Sequence, residues 1–248
     1  MIATPEARSV CLFFDVDGTL LEIAPRPEDV TVPLSLIGDL ARASELLEGA
    51  VAFVSGRTIL ELDRLFAPLR FAAAGVHGAE LRMRPTEPVV GAWNERLPDQ
   101  LWPAVTALLS RFPGTFAENK DFAIAVHHRE IRRSVACMAV AMDSLVAASG
   151  DPSLTILRGR NVLEIKRRNL EKGGAIEALM TQPEFAGRRP IFIGDDTTDL
   201  PGFATVLRAG GLAYSVGHSI PGLTGAFESP REVREWLGDI VHRRERAA

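Results

Sequence analysis

An apolar run at Val10–Phe14 ends at two aspartates, Asp15 and Asp17, that are separated by a single residue. Five consecutive apolar residues predict a strand buried on both faces, because a strand with one solvated face alternates apolar and polar residues. Strands of this kind form the interior of parallel sheets that have helices on both faces. The run therefore favours an α/β fold, with two carboxylates placed where the strand leaves the sheet.

The same pattern of strand and helix recurs along the chain. Apolar runs that predict strands, alternating with helical spacing, occupy residues 34–47, 50–54, 58–66, 71–75 and 190–193. This alternation predicts a doubly wound, parallel-sheet core of Rossmann-like α/β type. The tail has an amphipathic helical pattern, and we expect Trp236 and its apolar neighbours to pack on the core.

The middle of the chain has a different pattern. Helical spacing precedes a pair of short strands twice over, with helices at 99–112 and 131–148 and strand pairs within 115–128 and 154–166. Two such repeats predict a small α+β unit with an antiparallel sheet, inserted into the core. The expected division is a core of residues 1–81 and 168–248 and an inserted unit of residues 82–167.

The composition and net charge of the chain limit the classes of molecule that it is expected to bind. The chain of 248 residues has 28 lysines and arginines against 32 aspartates and glutamates, which gives a formal net charge of −4. A mildly acidic chain is a poor nonspecific ligand for nucleic acid, so an anionic substrate would need a local cationic pocket. No apolar run is long enough to span a bilayer, and the first residues lack the pattern of a signal peptide. We expect a cytoplasmic protein with a small-molecule substrate, no nucleic-acid or membrane partner and no obligate protein partner.

The two cysteines, Cys11 and Cys137, lie in apolar stretches of the sequence. A pair of thiols without a disulfide pattern fits a reducing compartment. We predict that both thiols are buried.

Four polar segments follow predicted strands or begin a predicted helix. They occupy residues 15–19, 55–57, 172–173 and 194–199. In a doubly wound sheet, ligands bind at the carboxyl ends of the strands. The four segments would together bring up to five carboxylates beside the hydroxyl of Ser55 and the ammonium group of Lys172.

Such a group of carboxylates favours a bound divalent cation. Without a cation, carboxylates that share a crevice repel each other and raise their own pKa values. Ligands that are all oxygen, with no cysteine and no obvious histidine, indicate Mg²⁺ rather than Zn²⁺. Lys172 and Ser55 beside the ion would hold phosphate oxygens, together with the backbone donors of a helix N-terminus near Lys172.

These groups are the parts of a phosphoryl-transfer site. Asp15 can attack phosphorus and form an aspartyl-phosphate, and Asp17 can protonate the leaving oxygen and then deprotonate the attacking water. Gly18 lets the backbone turn tightly against the phosphate. Any one segment alone could be a turn, a helix cap or a solvated charge, so the prediction depends on all four occurring in order. The chain has no GxGxxG and no GxxxxGK[ST] motif, so dinucleotide and P-loop binding find no support.

The segments DVDGTL, SGR, the lysine of EKGG and GDDTTD resemble the four motifs of the haloacid dehalogenase-like phosphatases, from residue 11 to about residue 203. The resemblance implies that Asp15 is the nucleophile, that Asp17 is the acid and base, and that Ser55 and Lys172 bind phosphate. It implies Mg²⁺ ligation by Asp15, the backbone carbonyl of Asp17 and Asp195, completed or supported by Asp196 and Asp199. Further substrate contacts at this end are expected from Gly18, Thr19, Gly56 and Arg57. The inserted unit corresponds to the family's cap domain, which closes over the site and selects the substrate.

Finer features are similar to the trehalose-6-phosphate phosphatases. These are VSGR, GVHGAELR, ENKDFAIAVHHRE, NVLEIKR and GDDTTDLPGF. In that family the GxHG segment, here with His77 and Gly78, links core to cap, and both residues are expected near the substrate. The resemblance assigns sugar hydroxyls to five cap residues, namely Glu118, Lys120, His127, Arg129 and Glu164. Spacing of two along a strand would place Glu118 with Lys120, and His127 with Arg129, on shared faces.

Three departures from the family pattern leave the exact sugar open. His128 replaces a usual tyrosine, the loop 167–171 lacks the usual proline and glycine, and the acidic residues that often follow GDDxTD are replaced at 200–202. The function expected is Mg²⁺-dependent hydrolysis of trehalose 6-phosphate. The alternatives are a phosphatase for another sugar or polyol phosphate, a phosphomutase, and a non-catalytic sugar-phosphate sensor, against which the presence of both Asp15 and Asp17 argues.

Overall fold

The computed structural model describes residues 9–24, 26–91, 95–128, 135–159 and 161–245. The chain forms two compact units, one of residues 1–90 and 171–248 and the other of residues 91–170. The unit boundaries lie at 90/91 and 170/171, whereas the sequence suggested 81/82 and 167/168. Within the described residues, no helix has both the length and the apolar character that crossing a membrane requires.

The first unit is built on an eight-stranded sheet. Its strands, in spatial order, are β12 (Gly225–Phe227), β11 (Leu212–Val216), β10 (Arg189–Gly194), β1 (Val10–Phe14), β2 (Val51–Val54), β3 (Ala72–Gly75), β4 (Glu80–Arg82) and β5 (Val90–Gly91). Every pairing from β12 to β3 is parallel, and β3 pairs with β4 in the antiparallel sense. The predicted doubly wound parallel core is confirmed.

The position of β1 explains why its sequence is apolar throughout. It lies between β10 and β2, and all five of its residues are buried. The register pairs Phe14 with Ile193 on one side and with Phe53 on the other. The residues that follow these three strands therefore leave the sheet at the same edge, which brings the polar segments together.

Helices complete this unit and bury its sheet. They are α1 (Leu34–Leu46), α2 (Ile59–Leu65), α5 (Lys172–Met180), α6 (Leu200–Arg208) and α7 (Pro230–Glu245). A capping box between Thr58 and Glu61 begins α2 directly after the second polar segment. Trp236 of α7 is buried in the core cluster, as predicted. The sequence patterns did not predict β4, β5, α6, β11 or β12.

The second unit is a four-stranded antiparallel sheet with two helices. The strand order is β6 (Phe116–Asn119), β7 (Ala123–His127), β9 (Val162–Arg167) and β8 (Leu154–Gly159), and the helices are α3 (Leu101–Leu109) and α4 (Val135–Ala148). One sheet face is apolar and shares a core cluster with α3 and α4. Alternate residues point to opposite faces of a strand, so the other face carries the intervening residues, which include Glu118, His127, Glu164 and Lys166.

The two cysteines differ in environment. Cys11 lies in β1 and is buried, as predicted, and burial raises the pKa of its thiol to about 12. Cys137 of α4 is exposed, so the prediction that it is buried was wrong. An apolar neighbourhood in sequence does not distinguish the two sides of a helix, because only one side of α4 faces the sheet.

Candidate active site

The turn after β1 carries the two predicted catalytic carboxylates. The amide of Asp15 donates to the carbonyl of Ile193 at 2.9 Å, which fixes the first carboxylate at the end of the sheet. The chain then reverses, and the amide of Gly18 donates to the carbonyl of Leu21 at 2.7 Å. Thr19 is fully buried beneath this turn.

Gly18 is required by both its conformation and its surroundings. Its φ of 85° lies in the left-handed region that a side chain disfavours, and a Cβ placed there would lie 2.1 Å from Oδ2 of Asp195. A glycine at this position lets the first and last polar segments come into contact.

Lys172 links the carboxylates of two different segments. It is the first residue of α5 and is buried, and its Nζ donates to Oδ1 of Asp15 at 2.8 Å and to Oδ1 of Asp199 at 2.6 Å. Burial disfavours the ammonium form, but the two adjacent carboxylates outweigh burial, so the pKa of Lys172 lies above its ordinary value. The lysine therefore remains a cation inside the site.

Asp15, Asp195 and Asp199 form a buried cluster whose oxygens lie within 4.8 Å of one another. Burial, followed by the charge of Asp199, raises the pKa of Asp15 to about 7 against the opposing effect of Lys172. Burial and the charges of Asp15 and Asp199 raise the pKa of Asp195 to about 9. Three carboxylates face a single ammonium group, and this excess of buried negative charge fits a divalent cation with oxygen ligands.

Asp199 is held within this cluster by hydrogen bonds to both of its carboxylate oxygens. Its Oδ2 accepts from the amides of Asp195 and Asp196 at 2.9 and 3.0 Å, while its Oδ1 accepts from Lys172. Asp196 lies outside the cluster, because its side chain caps the following turn by accepting from the amide of Thr197 at 2.6 Å. The structure thus brings together the carboxylates of three of the five predicted metal residues.

The second polar segment lies beside the turn after β1. Ser55 is buried, and its amide donates to the carbonyl of Ala74 at 2.9 Å. Its Oγ accepts from the amide of Arg57 at 3.2 Å. The guanidinium of Arg57 donates to both carboxylate oxygens of Asp17, at 2.6 and 2.7 Å. No sequence pattern predicted this ion pair.

A strained turn places His77 against this segment. Val76 and His77 have φ values of 46° and 55°, which are uncommon for residues with side chains, and for a β-branched valine especially. Hydrogen bonds from their amides to the carbonyls of Arg57 and Ser55, at 2.9 and 3.0 Å, hold the turn in place. A Cβ on Gly56 would lie 2.9 Å from Nε2 of His77, so the imidazole packs directly on the glycine.

The polar sheet face of the second unit contains four of the five predicted sugar-binding residues. Glu118, Ala125 and Glu164 are aligned across three strands on one face. Oε2 of Glu118 lies 3.2 Å from Nε2 of His127 and 3.7 Å from Nζ of Lys120. Arg129 lies outside the described residues.

Two further residues of this face were missed. Phe116 stacks on the imidazole of His127 with ring centroids 4.4 Å apart, so it belongs to the same surface. Lys166 is buried and donates to the carbonyls of Arg167 and Leu170. The spacing of two from Glu118 to Phe116 and from Glu164 to Lys166 is the signal that could have identified both.

His128 and the unusual loop have well-defined structural surroundings. Burial lowers the pKa of His128, and its amide donates to the carbonyl of Asn161 at 3.0 Å. In the loop, Nη1 of Arg167 donates to Asp151 at 2.9 Å and also to Ser153.

Together, the parallel sheet, the paired aspartates after its central strand, the buried lysine and the acidic cluster define a haloacid dehalogenase-type phosphatase. The C-terminal domain of Candida albicans trehalose-6-phosphate phosphatase has the same fold. Its TM-score is 0.84 at 19% identity, over 96% of this chain and 93% of that one.

Sequence comparisons give the family. The family model for trehalose-phosphatase matches residues 13–223. Trehalose-6-phosphate phosphatase of Escherichia coli is 34% identical over 239 residues, covering 96% of this chain and 89% of that protein. A probable trehalose-phosphate phosphatase of Sinorhizobium fredii is 40% identical over 210 residues, covering 85% and 78%. The chain belongs to the trehalose-phosphatase family and is a phosphatase.

Proposed function

We propose that the protein hydrolyses trehalose 6-phosphate to trehalose and inorganic phosphate through an aspartyl-phosphate on Asp15. The observation that carries this proposal is the buried carboxylate of Asp15, which lies at the end of the central strand and accepts a hydrogen bond from Lys172. Asp17 follows it two positions later in the sequence, in a chain of this family. A carboxylate held in this way has the position and the fixed orientation that a nucleophile needs.

The reaction proceeds in two displacements. In the first, a carboxylate oxygen of Asp15 bonds to phosphorus, the bond from phosphorus to the sugar oxygen breaks, and Asp17 donates its proton to that oxygen. In the second, a water oxygen bonds to phosphorus while Asp17 takes a proton from that water, and the bond between phosphorus and Asp15 breaks to release phosphate. Lys172 and the hydroxyl of Ser55 bind phosphoryl oxygens during both steps.

Mg²⁺ is the cation we propose for the acidic cluster. Asp15, Asp195 and the backbone carbonyl of Asp17 would hold it. Asp199 would support them, because its side chain already accepts from Lys172 and two amides. When bound, the ion neutralises the cluster and draws charge from the phosphoryl oxygens. This donor set consists entirely of oxygen, which is the chemistry that Mg²⁺ prefers.

We propose that the polar sheet face of the second unit binds the sugar. Glu118, Lys120, His127 and Glu164 offer charged donors and acceptors that can pair with the many hydroxyl groups of a disaccharide, and Arg129 is proposed to join them. Phe116, which stacks on His127, adds an apolar surface for the carbon–hydrogen face of a sugar ring. The cytoplasmic location and the absence of an obligate protein partner remain predictions.

The direct test is phosphate release with Mg²⁺ from trehalose 6-phosphate, sucrose 6-phosphate, glucose 6-phosphate, a glucosylglycerol phosphate and p-nitrophenyl phosphate. We expect trehalose 6-phosphate to lead by about a hundredfold in kcat/KM, which is about 2.7 kcal/mol of differential transition-state binding. If a different sugar phosphate had the highest kcat/KM, the proposed substrate would be wrong, but the proposed chemistry would stand.

The same assay separates the remaining alternatives. A sensor would bind the sugar phosphate and release no phosphate. A mutase would need a bisphosphate activator and would return the phosphoryl group to sugar. Release of phosphate without an activator contradicts both.

A further inference from the structure

We propose that Arg57 is a positioning residue that orients the carboxylate of Asp17, rather than a ligand of the substrate's phosphate. The proposal rests on the acid and base role of Asp17 in the proposed function, and it does not depend on which sugar the enzyme accepts.

The contact between the two side chains is bidentate. Nε of Arg57 donates to Oδ2 of Asp17 at 2.6 Å, and Nη2 donates to Oδ1 at 2.7 Å. Nη2 also donates to the carbonyl of Pro27 at 3.0 Å. Two parallel hydrogen bonds fix the plane of a carboxylate as well as its position, which a single bond cannot do.

The backbone of Arg57 is itself held in place by two neighbouring segments. The amide of Arg57 donates to Oγ of Ser55 at 3.2 Å, and its carbonyl accepts from the amide of Val76 at 2.9 Å. The side chain of Arg57 is only 8% exposed, whereas that of Asp17 is 36% exposed. The buried arginine is therefore the fixed partner, and the more exposed aspartate is the group that is held.

The arrangement leaves Asp17 able to transfer a proton. Each carboxylate oxygen has two lone pairs, and Arg57 uses one on each oxygen. A proton carried on one of the remaining lone pairs can pass to the leaving oxygen, and the same lone pair, once free, can accept a proton from water. Nε and Nη2 of Arg57 are already committed to Asp17 and Pro27, which disfavours a principal role for these atoms in binding phosphate.

The first test measures leaving-group dependence in Arg57→Ala and Arg57→Lys. A series of aryl phosphates, from p-nitrophenyl to phenyl to p-methoxyphenyl phosphate, keeps the shape nearly constant while the leaving group becomes more dependent on a proton. Because kcat/KM reports the steps up to departure of the leaving group, loss of an oriented acid should steepen its dependence on leaving-group basicity. We expect Arg57→Ala to lower kcat/KM about 10- to 100-fold more on p-methoxyphenyl than on p-nitrophenyl phosphate. Arg57→Lys keeps the positive charge but cannot form the two parallel hydrogen bonds. Its leaving-group dependence should lie between that of Arg57→Ala and that of the wild type.

Arg82 provides a matched control in the same unit. Its Nη1 and Nη2 take both oxygens of Asp63 at 2.7 Å, and its Nε donates to the carbonyl of Phe71 at 2.9 Å. Arg82→Lys removes an equivalent bidentate contact of a buried arginine elsewhere in the fold. We expect it to lower the melting temperature without changing the leaving-group dependence.

The second test is a double-mutant cycle with Asp17→Ala, measured on p-methoxyphenyl phosphate, on which the larger effect of Arg57→Ala is expected. If Arg57 acts through Asp17, Arg57→Ala should change kcat/KM by less than about twofold in the Asp17→Ala background. A full effect in that background, or an equal loss across the aryl series, would mean that Arg57 binds the phosphate itself and would overturn the proposal. An unchanged Arg57→Ala enzyme would overturn it as well.

Failure of the Arg57 proposal can be distinguished from failure of the proposed function. If the aspartyl-phosphate mechanism is wrong, Asp15→Asn retains activity. If only the sugar is wrong, the aryl series is unaffected. Where Arg57→Ala does not fold, Arg57→Lys and the cycle built on it decide between the two roles.

Discussion

Gly18 joins two requirements at a single position, a left-handed backbone and a close approach to Asp195. Gly222 has nearly the same φ, 89°, but a Cβ there would meet nothing within 4 Å. The pair therefore separates the cost of the backbone conformation from the cost of crowding the site.

We predict that Gly18→Ala lowers stability by more than Gly222→Ala and abolishes phosphatase activity. Gly222→Ala should cost about 1 kcal/mol of unfolding free energy, the penalty of a left-handed residue with a side chain, and should keep wild-type kcat. Chemical denaturation and phosphate release measure the two effects. Equal activity in the two variants would show that the contact with Asp195 is unimportant.

Asp15 is the residue whose removal most directly tests the chemistry. Asp15→Asn should lower kcat by more than about a thousandfold, because an amide cannot form the acyl phosphate. Asp63→Asn is the control, since Asp63 also pairs with a buried basic side chain, Arg82, but lies in no proposed reaction step. Retained turnover in Asp15→Asn would refute the covalent mechanism.

At the scale of elements, strands β6, β7 and β9 present one polar face whose residues come from distant parts of the sequence. Glu118 and Glu164 face the same side, because each pairs with Ala125 in the strand register. Acidic groups on the two strands that flank a small residue suit a ligand rich in hydroxyl groups.

We predict that Glu118→Gln and Glu164→Gln lower kcat/KM on trehalose 6-phosphate by about 10- to 100-fold, because a buried substrate hydroxyl loses a charged acceptor. On p-nitrophenyl phosphate, which has no sugar, the change should stay below about twofold. Asp143→Asn is the control in the same unit, since Asp143 pairs with Arg158 at an exposed position. Equal losses on both substrates would contradict a role in sugar recognition.

For the whole molecule, the acidic cluster couples metal binding, protonation and stability. The pKa values of Asp15 and Asp195 are raised to about 7 and about 9, so the folded protein without metal retains protons that the unfolded chain releases. The stability contributed by these protonated groups is present at low pH. It is lost as pH rises from the ordinary carboxyl pKa through the raised values.

A divalent cation needs the same carboxylates in their charged form, so it competes with protons. We predict that Mg²⁺ raises the melting temperature more at about pH 8.5 than at about pH 5.5. Exhaustive chelation should abolish activity, and added Mg²⁺ should restore it. Thermal unfolding with and without Mg²⁺ at the two pH values is the measurement, and Asp195→Asn should remove most of the difference. A metal effect independent of pH would place the cation elsewhere.

The sequence by itself determined the features that depend on local periodicity and residue type. A short uninterrupted apolar run that ends at polar residues is typical of a strand buried on both faces, so Val10–Phe14 predicted β1 and favoured the observed class of fold. The four polar segments could be assigned to one edge of the sheet because parallel strands share the direction of their carboxyl ends. Elements with weaker patterns, such as the three-residue β12, were missed because short runs do not establish a period.

Only the tertiary structure decided which side chains meet. Lys172 bridges Asp15 and Asp199, which lie 157 and 27 residues away in sequence, and Arg57 pairs with Asp17 across 40 residues. Neither contact has a local signal, because a hydrogen bond depends on angles and ångström distances that strand register and helix packing set jointly. The same reason explains why Asp196, adjacent to Asp195 in sequence, turns to cap the next turn while Asp195 joins the cluster.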